Sequence, residues 1–117
     1  MRLQARKTTP ETAYLVRQDD TLEAALMAIE ANNHRSVIVV DERRVVVGTL
    51  SDGDIRKLLL QHRLLSTPVH QVMNTNFVAL RPSQERRAGT LFTQHPYLLL
   101  IPVVDGRGRL QRILTAY

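Results

Sequence analysis

Laid over itself at an offset of 64 residues, the distance from Val16 to Leu80, the chain aligns without a gap. Val16-Arg17 falls on Leu80-Arg81, Ala24 on Ala88, and Val39-Val40-Asp41 on Val103-Val104-Asp105. Arg43 then falls on Arg107, and Leu50-Ser51 on Leu114-Thr115. Few matches are identities, but they keep their order. Self-similarity at one fixed period means one supersecondary unit used twice. A chain of 117 residues is therefore expected to fold as two small units packed on each other, within one compact module.

Each half reads as strand, helix, strand, strand, and the first half adds a closing helix. Tyr14 to Val16 is a short strand. Asp19 or Asp20 is placed to cap the following helix, and Leu22, Ala25, Leu26 and Ile29 form its buried stripe. Asn32-Asn33 ends it, because Asn tolerates the left-handed conformation common past a helix. Ser36 to Val40 suits a strand buried on both faces, Asp41 to Arg44 a turn, and Val45 to Leu50 the partner strand. Asp52 to Gln61 is then a helix with Ile55, Leu58 and Leu59 inward. A linker leads to Thr67, which is expected to cap a short helix ending near Asn74, with Pro68 in its first position.

The second half repeats the scheme. Phe77 to Leu80 is a strand, and Ser83 caps a helix running to about His95. Leu98 to Val104 and Arg109 to Leu114 are strands around an Asp105–Gly108 turn. Pro102 implies that one side of its strand lacks a ladder partner there. The expected boundaries are residues 12–62 for repeat one, 63–76 for the linker and short helix, and 77–117 for repeat two, within a module of 1–117.

Composition narrows the chemistry. Without cysteine there is no disulfide framework and no thiolate metal site. No apolar run approaches the roughly 20 residues that span a bilayer. The basic start, Met1 to Lys7, has no apolar stretch behind it and is not a secretory signal; a cytoplasmic location is expected, with no membrane partner. The net charge of +5 admits nucleic acid or a phosphorylated small molecule. The arginines are scattered in pairs such as Arg43-Arg44 and Arg86-Arg87, and no aromatic interleaves with them as single-strand binding requires.

The sharpest local signal is Gly48-Thr-Leu-Ser51-Asp-Gly-Asp54 at a strand–helix junction. Two readings are open. In the first, Ser51 and Asp54 form a capping box, each bonding the other's backbone. In the second, the helix start and the Ser51 hydroxyl greet a phosphate, Asp54 accepts from the two hydroxyls of a ribose, and Gly48 permits close approach of a ligand or of backbone.

Taken together, the duplicated units, Val-Val-Asp before a turn and Gly-h-h-Ser-x-x-Asp after it (h apolar) resemble the CBS-pair family, named for cystathionine β-synthase. The resemblance runs from about Tyr14 to Thr115. It implies an α/β (α+β) fold: tandem CBS repeats, small sheets flanked by helices, a pseudo-twofold axis, and a second repeat lacking its last helix. It implies an adenine nucleotide (AMP, ADP or ATP) bound in a cleft, with Asp54 on the ribose and Ser51 near the phosphates. His34 and Arg35 are then also phosphate candidates, Arg35 for its planar fork, and Leu15, Val16 and Val37 would line the base slot. The segments Ser51 to Lys57 and Thr67 to Asn74 look like CBS pairs fused to sugar nucleotidyltransferases, with those of sugar-phosphate isomerases as second choice.

Catalysis finds no support in the spacing. His34, His62, His70 and His95 show no i,i+4 pairing and no carboxylate set for a metal. Asp52 and Asp54 sit two apart at a helix start and point differently, and no nucleophile elbow occurs. The expectation is a non-catalytic regulatory module that needs no metal and transmits nucleotide occupancy to an attached or associated enzyme. The rivals are a structural dimerisation domain without ligand and a basic nucleic-acid-binding module. A homodimer is expected, since the helix bearing Leu58, Leu59 and Leu60 is apolar on more than one face. One nucleotide site is expected per chain, because Thr115 matches Ser51 while the acid matching Asp54 would fall beyond Tyr117.

Overall fold

The structure is a computed structural model that describes residues 11–117. The basic stretch from Met1 to Lys7 lies outside the described residues. The fold is the expected α+β arrangement of two small sheets with helices on their outer faces. Repeat one comprises β1 (Leu15–Arg17), α1 (Leu22–Asn32), β2 (Ser36–Val40), β3 (Val46–Ser51) and α2 (Asp52–Leu60). β1 runs parallel to β2, and β2 antiparallel to β3. Repeat two supplies α3 (Ala88–Gln94), β4 (Leu100–Val104) and β5 (Leu110–Thr115), the two strands pairing antiparallel.

The β-branched run of β2 is buried on both faces because each face meets a different core. Val37 and Val39 point into a cluster with Leu22, Ala25 and Ile29 of α1 and Ile55 of α2. Ile38 and Val40 point the other way, against Val46, Leu100 and Leu110. That second cluster draws on both repeats and is the core that joins them. The join has a pseudo-twofold form: the Val46 N–H donates to the Gly108 carbonyl and the Leu110 N–H to the Arg44 carbonyl, each at 2.9 Å.

The recurring Val-Val-Asp now has a physical cause. Asp41 Oδ1 accepts from the N–H of Arg43 (2.8 Å) and of Val45 (2.9 Å). Asp105 Oδ1 accepts from Arg107 (2.8 Å) and Arg109 (2.9 Å). Both strands before these turns carry a bulge, at Val39/Val40 and at Val103/Val104. Both turns end in a left-handed residue, Arg44 (φ 68°) and Gly108 (φ 81°). The aspartate closes the turn in each copy, so the duplication is structural as well as textual.

Several local expectations change. Thr21, not Asp19 or Asp20, caps α1, its hydroxyl accepting from the Ala24 N–H at 3.2 Å. Asp20 is engaged one step earlier, accepting from the Arg17 N–H at 2.7 Å. Asn33 ends the helix at φ 59°, as expected. Leu59 is exposed rather than inward, and Ile55 and Leu58 carry the inner face of α2. Thr67 caps nothing; its hydroxyl donates to the Leu64 carbonyl, and only a 3₁₀ turn, Val69–Gln71, follows. The linker is instead tied to the start of α1, through Leu22 N–H to Thr67 O (3.0 Å) and Val69 N–H to Asp20 O (2.7 Å).

In repeat two the expected Phe77–Leu80 strand shrinks to one parallel bridge, Leu80 with Val103. In repeat one the ladder continues with the Gln18 N–H donating to Val40 O. Pro82 stands at the matching position and has no N–H to give. Pro102 faces the same flank; its carbonyl accepts from the Leu80 N–H at 3.0 Å, so that side holds one bridge rather than none. Ser83 is not a cap either, because a 3₁₀ segment, Pro82–Arg87, precedes α3. Gln84 accepts from the Arg81 N–H there at 2.9 Å.

Candidate functional site

A cleft of about 310 Å³ opens where the two repeats meet. Repeat one contributes the start of β2 (Ser36, Val37), the end of β3 (Thr49, Ser51) and Asp54 from the first turn of α2. Repeat two contributes Phe77, Val78 and Leu98 to Leu100, while Asn74 and Asn76 reach in from the linker. One wall is therefore apolar, and the opposite end carries a hydroxyl, a carboxylate and amides. A largely apolar slot with a few convergent polar groups is the usual form of a small-molecule site.

Both readings of Ser51 and Asp54 hold at once. The Asp54 N–H donates to Ser51 Oγ at 3.0 Å, and the Ser51 N–H donates to Asp54 Oδ2 at 3.2 Å, completing a capping box. Among the described residues only Oδ2 of the carboxylate is bonded, and Asp54 is exposed at the cleft. Capping thus fixes the carboxylate at the helix start and leaves an acceptor free to face a ligand.

A second lobe of about 460 Å³ adjoins the cleft through Ser36, Ser51 and Tyr97. It is lined by Arg35, Arg56 and the α2 start at Asp52 and Gly53. The Arg35 carbonyl accepts from the Asp52 N–H at 2.9 Å, which ties the β2 start to the helix start. Arg35 holds φ 61° there with its side chain exposed. Arg35 and Arg56 bring positive charge beside the α2 N-terminus, partly offset by the Asp52 carboxylate, whose Oδ2 lies 3.9 Å from Arg56 Nη1.

The structure brings Ser51, Asp54 and Val37 into the cleft and Arg35 into the adjoining lobe. It does not bring Leu15, Val16 or His34 there. Leu15 and Val16 border a separate shallow pocket along the outer side of β1, with Val16 also in the repeat-one core. The cause is the pseudo-twofold packing: the motif of repeat one faces the opening segment of repeat two, not its own. The slot is lined by Phe77 and Val78, which the 64-residue offset matches to Ala13 and Tyr14. The offset alone could not reveal that the repeats exchange partners.

His34 is a structural clasp. Its Nδ1 lies 3.1 Å from Tyr14 Oη and 2.9 Å from the Asn32 carbonyl, and its Nε2 lies 2.9 Å from the Tyr117 carbonyl. The Tyr117 ring stacks on it at 4.7 Å between centroids. The matching residue in repeat two, Leu98, lines the open cleft, so the symmetry-related position is filled by side chains of the chain itself. Gly48 likewise serves backbone rather than ligand. A Cβ there would lie 2.7 Å from Met73 Sδ and 3.0 Å from the Asn74 carbonyl. The close approach lets Thr49 and Asn74 exchange two backbone hydrogen bonds, at 3.0 and 2.8 Å.

Among the described residues, no three His, Asp or Glu side chains gather as metal ligands. No described helix is long and apolar enough to cross a membrane.

Comparison with known proteins follows the same lines. The family model for the CBS domain matches residues 11–61. The arabinose 5-phosphate isomerase GutQ of Salmonella typhi is 28% identical over 106 residues, which is 83% of this chain and 33% of that protein. The chain thus spans about a third of the length of such relatives. The CbpB protein of Listeria monocytogenes, solved in complex with c-di-AMP, superposes with a TM-score of 0.73 at 24% identity, over 92% of this chain and 84% of that one. The CBS-domain pair of protein MJ0100, solved with 5′-methylthioadenosine and S-adenosyl-L-methionine, gives 0.70 at 20% identity, over 87% and 83%. Residues 11–61 thus match the CBS-domain model, and the two repeats together have the fold of the CBS-domain pairs they superpose on.

Proposed function

We propose that the chain is a non-catalytic regulatory module that binds an adenine nucleotide in the inter-repeat cleft and passes its occupancy to an attached or associated enzyme. The observation that carries this reading is the pairing of a free Asp54 acceptor with an apolar slot across the cleft. Asp54 accepts from the ribose hydroxyls, the base enters against Phe77, Val78 and Leu98, and the phosphates extend toward Ser51, Arg35 and Arg56. The ligands named for CbpB and MJ0100 all contain adenosine, which supports the ligand class. The cleft walls come from both repeats, so a bound ligand favours the one packing of the repeats that closes both walls on it. That differential affinity is the only means by which a ligand shifts a conformational equilibrium.

The enzyme served is a sugar-phosphate isomerase rather than a sugar nucleotidyltransferase. The isomerase relatives favour the second of the two resemblances. The module also acts as a homodimer: Met27 (68%) on α1, Leu60 (80%) at the end of α2 and Leu64 (70%) in the linker stand exposed, and exposed apolar side chains of this size support association. AMP, ADP or ATP at millimolar concentration raises the melting temperature by mass action on the folded state. Absence of a shift with all three would overturn the sensor reading and leave a structural dimerisation domain. Light scattering reads a dimer of the 13.3 kDa chain; a monomer at high concentration would refute the assembly.

A further inference from the structure

Three cavities meet at Ser51 and Asp54. The cleft shares Ser36, Ser51 and Tyr97 with the lobe that holds Arg35 and Arg56. It shares Asp54 and Asn74 with a third pocket of about 330 Å³, lined also by Lys57, Leu58, Gln61 and Val72. Asp54, Lys57, Leu58 and Gln61 follow one another at the three- and four-residue spacing that puts side chains on one side of a helix. Leu58 and Val72 pack on the repeat-one core and form the inner wall, while Lys57 and Gln61 are exposed. Asn74 is fixed as the opposite wall by its two backbone bonds with Thr49, at 3.0 and 2.8 Å. Arg56 and Lys57 leave α2 on different sides. Arg56 lines the Arg35 lobe, 3.9 Å from Asp52; Lys57 lines the third pocket and enters no ion pair among the described residues.

Resting on the nucleotide reading, we infer that the third pocket takes a phosphate borne on the 2′ or 3′ oxygen of the ribose, so that the ligand is an adenine nucleotide phosphorylated there as well as at 5′. With the ribose at Asp54, a nucleotide leaves it in three directions: the base, the 5′ oxygen, and the edge that carries the 2′ and 3′ oxygens. The apolar slot and the Arg35 lobe take the first two. The third pocket opens on the remaining edge, past the carboxylate that meets the hydroxyls. Asp54 already uses Oδ2 to accept from the Ser51 N–H at 3.2 Å, which leaves Oδ1 as the open acceptor. One open carboxylate oxygen suits one ribose hydroxyl, the neighbouring ribose oxygen being substituted. Lys57, one helical turn beyond Asp54, makes an anion the fitting substituent and offsets the repulsion from the Asp54 carboxylate. Lysine binds phosphate as a point charge, and the amides of Gln61 and Asn74 supply further donors.

Calorimetry tests this with AMP, adenosine 3′,5′-bisphosphate and adenosine 2′,5′-bisphosphate, on the parent and on Lys57→Gln. The parent should bind at least one bisphosphate about fivefold more tightly than AMP, the upper range for an exposed charge pair. Comparison of the two bisphosphates shows which ribose oxygen carries the group. Lys57 is exposed, so the fold of Lys57→Gln is expected to persist, which circular dichroism checks. In that variant the ratio of bisphosphate to AMP affinity should fall toward one. Smaller ratios for both bisphosphates in the parent would overturn the inference while leaving the nucleotide reading intact. A ratio that is unchanged in Lys57→Gln would overturn it too, since the extra phosphate would then be held elsewhere. Failure of all three nucleotides to bind would overturn the nucleotide reading itself, and this inference with it.

Discussion

The Asp41 turn and the Asp105 turn are built from the same hydrogen bonds, whereas the strands that follow them end differently. Gly48, Ser51 and Gly53 of repeat one stand as Arg112, Thr115 and Tyr117 in repeat two. The strand pairings confirm the equivalence, since Val39 faces Gly48 where Val103 faces Arg112. Repeat one thereby admits the linker against β3 and keeps a cleft open at Asp54. Repeat two places a salt-bridged Arg112 on β5 and an aromatic ring against His34. The turn chemistry sustains the fold and is kept in both copies; the strand ends decide which cleft is open.

Exchanging Gly48 for the residue of the other repeat should have the largest effect. Gly48→Arg drives a side chain into Met73 and the Asn74 carbonyl, where even a Cβ is too close. Overpacking of this kind costs about 3 kcal/mol, read as a lower urea midpoint. The reverse exchange, Arg112→Gly, loses a surface ion pair and has a much smaller effect. Equal losses would show that the linker yields easily and that the two strand ends are interchangeable.

Next in size is the ligand difference. Asp54→Ala should weaken nucleotide binding by about 1.5–3 kcal/mol, the range for hydrogen bonds to a charged group, or roughly ten- to a hundredfold in Kd. Thr115→Ala should leave binding unchanged, and calorimetry should fit one nucleotide per chain. A stoichiometry near two, or a loss at Thr115, would make the clefts equivalent. Unchanged affinity in Asp54→Ala would leave that carboxylate its capping role alone.

Much of this was readable in the sequence, and the failures have a common cause. β2 was legible to the residue, because a β-branched run between an Asn helix stop and an Asp turn leaves no alternative. The Ser51–Asp54 pair was legible because its spacing defines a helix start whatever else it does. Leu15 and Val16 were misplaced because the site is assembled across the pseudo-twofold, and periodicity within one repeat cannot say which copy faces which. The Phe77–Leu80 strand faded because Pro82 removes one N–H from its ladder. The Thr67 helix failed because the linker bonds with the start of α1, a tertiary competitor invisible to local rules.

A smaller contrast lies in the turns. Arg44 takes the left-handed position that Gly108 fills in repeat two, and offsets the cost with a bond from its Nε to the Leu110 carbonyl at 3.1 Å. Gly108→Ala gains no such bond, and its Cβ would sit 3.4 Å from Val45 Cγ1. It should cost about 1 kcal/mol, the usual penalty for a non-glycine residue in that conformation. A neutral result in thermal unfolding would mean the turn relaxes and that the two turns tolerate the same residues.

The smallest expected effect belongs to the ion pair that repeat two has gained in Arg112. The side-chain hydrogen bond from Arg112 holds the Glu85 carboxyl below its ordinary value of 4.5, and the same bond raises the Arg112 pKa. A carboxylate whose pKa is lower in the folded chain binds fewer protons there than in the unfolded chain. Its contribution to stability is therefore complete above the ordinary value and disappears as pH falls through the lowered one. The pair is on the surface and screened, so the contribution is slight. Glu85→Gln removes it, and the parent should exceed this variant in melting temperature by a small margin at neutral pH. As pH falls below 4.5 the two should converge, because the parent's glutamate then also becomes neutral. A margin constant across that range would assign the Glu85 effect to packing against β5 rather than to charge. Repeat two would then differ from repeat one in shape alone.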